Sequence, residues 1–407
     1  MRAGDILGIP GYSAFHALDQ ARPGFPCAAR LELKSFQWAE KPFQAAPYLK
    51  AAAQKNETLR VVMNAPVVEL HERENARSVE AAVVALPGGR TARVEARHFV
   101  IAGGGIQTPR LLLNSTRVRA TGIGNDHGVV GRYLATHPKA NMATLVLKRP
   151  LSTRHPLFTD HRVTGGVVRY GVGFSAAGQR EFRLLNHYVQ VLPFAEYRAN
   201  RLFEAFRGAE AFNSPLIDRS SLISGFLPGV GKVAFEMIGR AGGLQRRARK
   251  FILRAFLDQY PNPENRVTLS EKKDAHGMPL ANVNWTFSSD DRASVIDFFG
   301  RLEGEMQAQG IERMDFGRLR TTEDWPLIGI HSHFMGTTRM GSDPATSVTT
   351  PDGQVHGCDN VFVVGPSLFP TCGYANPVYT IAALALRLGD HLKTRLRGRS
   401  AEGELTP

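Results

Sequence analysis

Cysteine is scarce in this chain. Its 407 residues hold three, Cys27, Cys358 and Cys372, and no two of them form a C-x-x-C pair. That spacing excludes a disulfide framework and a zinc site of the finger type, so no metal centre is expected, and it points to a reducing compartment. Long apolar runs are also lacking. None approaches the roughly 20 residues needed to cross a bilayer, and Arg2 is followed by no apolar core of signal-peptide length. No integral membrane segment is expected, and a cytoplasmic location is favoured. Acidic residues are outnumbered, 37 Asp and Glu against 50 Lys and Arg, for a net charge of +13. A basic chain can serve nucleic acid or an anionic membrane surface. Here the basic clusters, Arg246–Lys250 and Lys393–Arg399, are short and carry no interleaved stacking aromatics, so the charge reads as spread over the surface and no nucleic-acid partner is expected. An apolar share of 43% and a charged share of 21% are those of a globular protein, and 407 residues suffice for two domains.

Glycine is plentiful, at 40 residues, yet one glycine pattern is missing. The turn G-x-G-x-x-G, which sets a dinucleotide pyrophosphate on a helix N-terminus, does not occur. Gly122-Ile123-Gly124-Asn125-Asp126-His127-Gly128 carries one residue too many. Gly103-Gly104-Gly105 has no later glycine at the right spacing, and Gly229-Val230-Gly231 lacks the third.

The most informative stretch runs from His333 to Leu388. His333 is followed by a Gly-Thr turn and Arg339. A buried-strand run, Val361-Phe362-Val363-Val364, ends in a Gly-Pro break. Asn376-Pro377 then opens an Ala- and Leu-rich helix, with Asn suited to the cap and Pro to the first turn. A helix start presents free N–H groups and a partial positive charge, which favours an anion.

These residues resemble the C-terminal signature of the glucose–methanol–choline (GMC) family of FAD-dependent oxidoreductases. The match is His333-x-x-Gly336-Thr337-x-Arg339-Met340, then Asn360-Val361-Phe362-Val363, Ser367-x-x-Pro370-Thr371 and Asn376-Pro377-x-x-Thr380-Ile381. Three further segments are similar to the family: His98–Ser115, Gly128–Leu134 with His137-Pro138, and Gln259–Leu269. The first departs from the usual form at Gly105, where Ser or Ala is common, and at Thr116, where Gly is common.

The resemblance implies FAD as cofactor and a small alcohol, sugar or polyol as substrate, oxidised at a CH–OH group. It implies His333 as the base and Asn376 as a hydrogen-bonding partner of the substrate oxygen. A histidine titrates near neutral pH and so suits that task unperturbed. The cofactor contacts implied are Val67 at the adenine, Gly365 and Pro366 near the phosphate–ribityl region, and Pro377 and Val378 at the helix start. The family's N-terminal dinucleotide-binding βαβ unit, roughly 100 residues or more by domain size, is expected to be absent. That marks a truncated product or one partner of a split enzyme whose N-terminal half is supplied in trans. The alternatives are a catalytically inactive fragment or binding module that does not hold FAD alone, and, on charge only, a membrane-surface or nucleic-acid binder.

The expected fold is α+β: a remnant of a FAD-binding, Rossmann-like three-layer domain plus a substrate domain whose antiparallel sheet is covered by helices. Residues 1–45 are rich in Gly and Pro and are expected to be irregular. Residues 46–138 and 331–395 would form the partial FAD domain, 139–330 the substrate domain and 396–407 a basic, polar tail. Within these, Pro47–Gln54 is predicted helical and Leu59–Leu70 extended. Glu80–Leu86 and Thr91–Val94 form a hairpin about Pro87-Gly88-Gly89. A strand at His98–Ala102 runs into three glycines, which serve either a close cofactor approach or a packing turn, and Thr108-Pro109 caps a helix. Phe251–Leu257 reads as an amphipathic docked helix with a solvated basic side, or as a helix lying on a membrane surface. Val283–Trp285 is a strand, and Ser288 or Ser289 with Asp290-Asp291 opens a helix that ends near Gln309 at Gly310.

Overall fold

A computed structural model describes residues 3–7, 30–193 and 247–403, apart from 42, 153–154, 156, 164–165, 308–309, 323–324, 326 and 328–332. The Gly225–Gly231 break and Cys27 lie outside the described residues. In chain order the elements are α1 (Ala3–Leu7), β1 (Leu31–Ala39), α2 (Ala45–Lys55), β2 (Val67–Glu72), β3 (Val79–Ala85), β4 (Thr91–Glu95), β5 (Phe99–Ile101) and α3 (Gly104–Asn114). Then follow β6 (Lys139–Ser152), β7 (His161–Val163), β8 (Gly166–Phe174), α4 (Ala176–Phe182), β9 (Tyr188–Pro193) and β10 (Arg247–Phe256). The chain continues through β11 (Arg266–Lys273), β12 (Pro279–Asn284), α5 (Ser289–Gln307), β13 (Ile311–Asp315), α6 (Arg318–Thr321), β14 (Val361–Val363) and α7 (Val378–Gly403).

The largest unit is a seven-stranded antiparallel sheet in the order β1-β8-β9-β10-β6-β13, with β7 also on β8. Its strands alternate, as a sheet with two different faces requires. Leu33, Val172, Val189 and Leu253 point to one side and pack on Val295, Phe298, Phe299 and Leu302 of α5. Those helical positions recur at three and four residues, so they form one stripe. The start of α5 is set by a reciprocal box: the Ser288 hydroxyl accepts from the Asp291 N–H at 3.1 Å, and the Asp291 carboxylate accepts from the Ser288 N–H at 2.8 Å. Each buried Phe on that stripe adds about 2–3 kcal/mol of apolar burial.

Two expectations are corrected here. Residues 1–45 are not all irregular, because Leu31–Ala39 pairs with β8 along its whole length, Leu31 opposite Phe174 and Ala39 opposite Gly166. The segment Phe251–Leu257 is not a helix. Phe251–Phe256 is the end of β10, a strand hydrogen-bonded on both sides, with Leu253 opposite Val191 of β9 and Ala143 of β6. Its apolar run suits a strand buried on both faces as well as a helix, and the two neighbouring strands decide the matter.

The second core lies where β5 and β14 run parallel, Val361 beside Phe99 and Val363 beside Ile101. Ile101, Leu112, Val130, Val361 and Val363 meet there with Leu70 and Val79 of the three-stranded sheet β2-β3-β4. The predicted hairpin is β3–β4, with Val83 opposite Arg93 and Gly88 at φ +77 in the turn. The extended run expected from Leu59 starts as strand only at Val67. Helix α3 begins at Gly104, four residues before the Thr108-Pro109 cap that the sequence suggested. The expected tail at 396–407 is also corrected, since α7 continues as helix to Gly403. Among the described residues β5 pairs with β14 alone, and Val100 between two buried neighbours is 46% exposed.

Candidate active site

The histidine of the H-x-x-G-T segment is placed by a short antiparallel contact. Ala135 and Met335 exchange both backbone hydrogen bonds, at 3.0 and 2.9 Å. Residues two positions away then face each other across the pair, so His137 meets His333. The His137 Nε2 lies 2.7 Å from the His333 Nδ1, and the rings are 9° from parallel with centroids 4.6 Å apart.

Close backbone packing holds this contact. Gly336 has φ +87, and a Cβ there would lie 2.3 Å from the Tyr133 carbonyl oxygen. The Arg339 guanidinium covers the Tyr133 ring at 4.3 Å. On the other side, the Thr337 hydroxyl donates to the Gly105 carbonyl at 2.7 Å, and a Cβ on Gly105 would meet the Phe334 carbonyl oxygen at 2.3 Å. Gly105 therefore serves tight packing of α3 against the histidine segment, which settles the choice posed by the three glycines at that position.

The same segment runs beside Pro366–Leu368. Gly336 N–H donates to the Pro366 carbonyl at 3.2 Å and Thr338 N–H to that of Ser367 at 2.9 Å. The Val364 N–H donates to the Ile101 carbonyl at 2.9 Å, so Gly365 and Pro366 follow at the carboxyl end of the parallel β5–β14 pair, beside Ala102 and Gly103. In open α/β sheets ligands bind at that end.

Burial disfavours the charged form of both histidines. His137 is 5% exposed, and burial pushes its pKa down to about 4, helped by the neighbouring His333 and Lys139. The Tyr374 backbone and Asp258 pull partly the other way. His333 is half-buried, and burial, then Lys139, lowers its pKa as well. A base with a lowered pKa stays unprotonated further into the acid range.

A third histidine is buried nearby but is locked. His187 Nδ1 accepts from the Asp258 N–H at 3.1 Å, which leaves the proton on Nε2, 3.1 Å from the Ser294 hydroxyl. It therefore donates to Ser294 and cannot act on it as a base. Asp258 itself is a buried hub. Its carboxylate accepts from the Gln259 and Gly373 N–H groups at 2.9 and 2.8 Å, from the Asn186 N–H at 3.1 Å and from the Cys372 thiol at 3.2 Å. That ties the loop before α7 to the end of β10. Burial and the Asp258 charge raise the Cys372 thiol well above its ordinary range, so it is a packed, inert thiol.

The remaining predicted positions are spread over three places. Asn376 is exposed at the foot of α7, two residues before its first helical residue, and is not hydrogen-bonded to His333. Pro377 is buried there and Val378 exposed. Val67 opens β2 and lines a groove of about 410 Å³ with Phe99, Val100, Ala102 and Gly103. Gly365 is buried at φ +132, yet a Cβ there would meet no atom within 4 Å. Two residues to which the sequence assigns no role stand out here: His137 contacts His333, and Asp258 ties the loop before α7 to the end of β10. In the sequence, His137-Pro138 is marked only by its likeness to the family.

A C-terminal GMC oxidoreductase family model matches residues 261–385, and an N-terminal one matches residues 33–139. The chain belongs to the GMC oxidoreductase family. The N-terminal match corrects the expectation that the family's N-terminal part is absent, since that region is represented from residue 33 onward. The chain is 29% identical over 338 residues to a 2-methyl-1,2-propanediol dehydrogenase of Mycolicibacterium austroafricanum, covering 82% of this chain and 54% of that protein. It is 30% identical over 308 residues to a paromamine 6'-oxidase of Streptomyces fradiae, covering 74% and 46%. It is 28% identical over 351 residues to the fructose dehydrogenase large subunit of Gluconobacter japonicus, covering 85% and 56%. The chain thus spans about half the length of these GMC relatives. Among the described residues no helix is long and apolar enough to cross a membrane.

Proposed function

We propose that this GMC oxidoreductase oxidises a CH–OH group of an alcohol, sugar or polyol with FAD, and that His333 takes the hydroxyl proton. The observation that carries the reading is the His333–His137 pair beside the carboxyl end of the parallel β5–β14 pair. The names of the relatives, a 2-methyl-1,2-propanediol dehydrogenase, a paromamine 6'-oxidase and a fructose dehydrogenase, agree with that substrate class.

The residues present suit a flavin nucleotide in part. Gly365 leaves open space at a buried turn, and the groove at Val67 offers an apolar wall. In this reading Val67 would hold the adenine, Gly365 and Pro366 would hold the phosphate–ribityl region, and the helix-start N–H groups at Pro377 and Val378 would offer partial positive charge to the anionic end of the ring. Residues 46–138 with 331–395 form the cofactor part, and 139–330 the substrate part, to which β1 adds a strand. FAD, when bound, supplies the acceptor for the hydride. The chain's own residues do the rest. His333 receives the hydroxyl proton on its ring, and Asn376 orients the substrate oxygen with its side-chain amide. Burial, then Lys139, disfavours the protonated form of this base.

The test is flavin retention by the purified chain. FAD is added, the protein is gel-filtered and its visible absorbance is read. Retained flavin that bleaches with 2-methyl-1,2-propanediol or fructose, and fails to bleach in His333→Ala, is the expected result. A folded chain that retains no flavin would favour the second reading, a family fragment that does not hold FAD alone. The absence of any G-x-G-x-x-G turn favours that reading.

A further inference from the structure

The face of the large sheet that turns away from α5 ends at the two histidines, and the strip beside them is basic. We propose that the substrate oxidised at His333 is an acidic polyol, bearing a carboxylate beside its hydroxyls, and that Lys139 and Arg254 bind that carboxylate. The inference rests on the proposed oxidation and narrows its substrate class.

The sheet register puts these side chains together. Antiparallel partners share a face, and so do residues two apart on one strand. Phe256 of β10 is opposite Lys139 of β6 and Tyr188 of β9, and Arg254 is opposite Asn141 and Gln190. Ala255, between them, is opposite Ala140, and both belong to the core on the α5 side. Lys139, Asn141, Arg254 and Phe256 therefore point the other way. The ladder runs on past β6, where the Leu257 N–H donates to the Pro138 carbonyl at 2.9 Å. His137 thus lies on the same side as Lys139.

This face is closed toward β9 and open toward β6. Tyr188 is buried and Gln190 is 5% exposed. The Tyr374 ring stacks on Tyr188, 14° from parallel with centroids 4.9 Å apart. Lys139, Asn141, Arg254 and Phe256 are only half-buried, as is His333. A hydroxylated chain with its CH–OH at His333 finds there an amide, an aromatic ring and two cations.

The other cations of this face are matched within the chain. Lys34 donates to the Asn186 side-chain oxygen at 2.6 Å and lies 3.5 Å from Glu32, and Arg169 pairs with Asp160 at 2.6 Å. The Asp258 carboxylate already accepts four donors. Lys139 makes no ion pair among the described residues. The Arg254 Nε donates to the Asn141 side-chain oxygen at 3.1 Å, which orients its guanidinium on the strip. A half-buried cation gains most from a carboxylate, through charge-assisted hydrogen bonds, and a guanidinium fork suits the same group.

Lys139 also acts on the base. Its charge disfavours a proton on His333 and on His137. That opposes His333 at the moment it receives the hydroxyl proton. A carboxylate bound to Lys139 offsets the charge, so an acidic substrate brings with it a group that helps the base accept its proton. A neutral alcohol brings none.

The experiment compares gluconate, sorbitol and glucamine, which differ at one terminal carbon as a carboxylate, a hydroxymethyl and an aminomethyl group. Each is titrated into the whole chain, without cofactor, at neutral pH and low salt. Binding is followed by NMR of labelled histidine rings, with His333→Gln to assign the His333 signals. Gluconate should shift those signals saturably and bind about tenfold more tightly than sorbitol, with glucamine weakest. Lys139→Gln and Arg254→Gln should each remove most of the preference for gluconate over sorbitol, and Lys139→Arg should keep it. If Arg254→Gln does not fold, the two Lys139 variants decide. Gluconate that binds no more tightly than sorbitol, that leaves the His333 signals unmoved, or that keeps its preference in Lys139→Gln overturns the proposal. The two readings fail separately: alcohol-dependent bleaching that survives in His333→Ala overturns the oxidation reading, whatever the charge of the polyol bound.

Discussion

Acidification should weaken the fold through His137, and the effect can be sized. Burial lowers this histidine from the ordinary 6.5 to about 4 in the folded chain. Below the ordinary value the unfolded chain binds a proton that the folded chain refuses, so stability falls as pH falls. Nothing is lost above about pH 7, where both states are unprotonated. The loss grows through the window between 6.5 and about 4. At 1.36 kcal/mol per unit it reaches about 2.5 kcal/mol by about pH 4.5, and about 3.4 kcal/mol when complete. Carboxylates titrate in the same range, so the comparison must isolate this group. Urea unfolding of the unaltered chain and of His137→Gln, at a series of pH values from about 7.5 to about 4.5, does so. The stability difference between the two should shift in favour of the Gln variant by about 2.5 kcal/mol across the series, because Gln cannot titrate. Parallel curves would refute the reasoning, since they would mean that His137 is as easily protonated folded as unfolded. His187 is pushed the same way by its own burial and should add to the acid sensitivity that remains in the variant.

Two further substitutions test the packing around the site. Gly336→Ala places a Cβ 2.3 Å from the Tyr133 carbonyl oxygen at φ +87. It should lower the urea unfolding free energy by about 3 kcal/mol, from backbone strain plus the displaced carbonyl, and it should separate His333 from His137. A neutral Gly336→Ala would mean that the close approach is not needed. Asp258→Asn puts an amide where a carboxylate accepts four donors, so at least one buried N–H or the thiol loses its partner. The expected loss is about 2 kcal/mol, with faster amide exchange at Gly373. Unchanged exchange there would remove Asp258 as the tie on the loop before α7.

What was legible in the sequence was local. Ser288 or Ser289 with Asp290-Asp291 announces α5, Pro87-Gly88-Gly89 the β3–β4 turn, and Asn376-Pro377 α7. Each is a signal between residues a few positions apart, whose backbone geometry or capping bond needs no distant partner. The H-x-x-G-T segment and the β14 run were equally visible and carried the family reading. The amphipathic run at Phe251–Leu257 was not decisive, because a short apolar segment suits a buried strand and a helix alike. Its neighbours β6 and β9 made it a strand. Only the tertiary structure chose a packing role for Gly105, since a glycine shows its purpose through the atom that occupies its empty side. Only it joined His137 to His333. A two-residue bridge between distant segments sets that pair, and nothing within either segment encodes the partner. The sequence determined which residues have acid–base and capping chemistry, whereas long-range backbone pairing decided which of them meet.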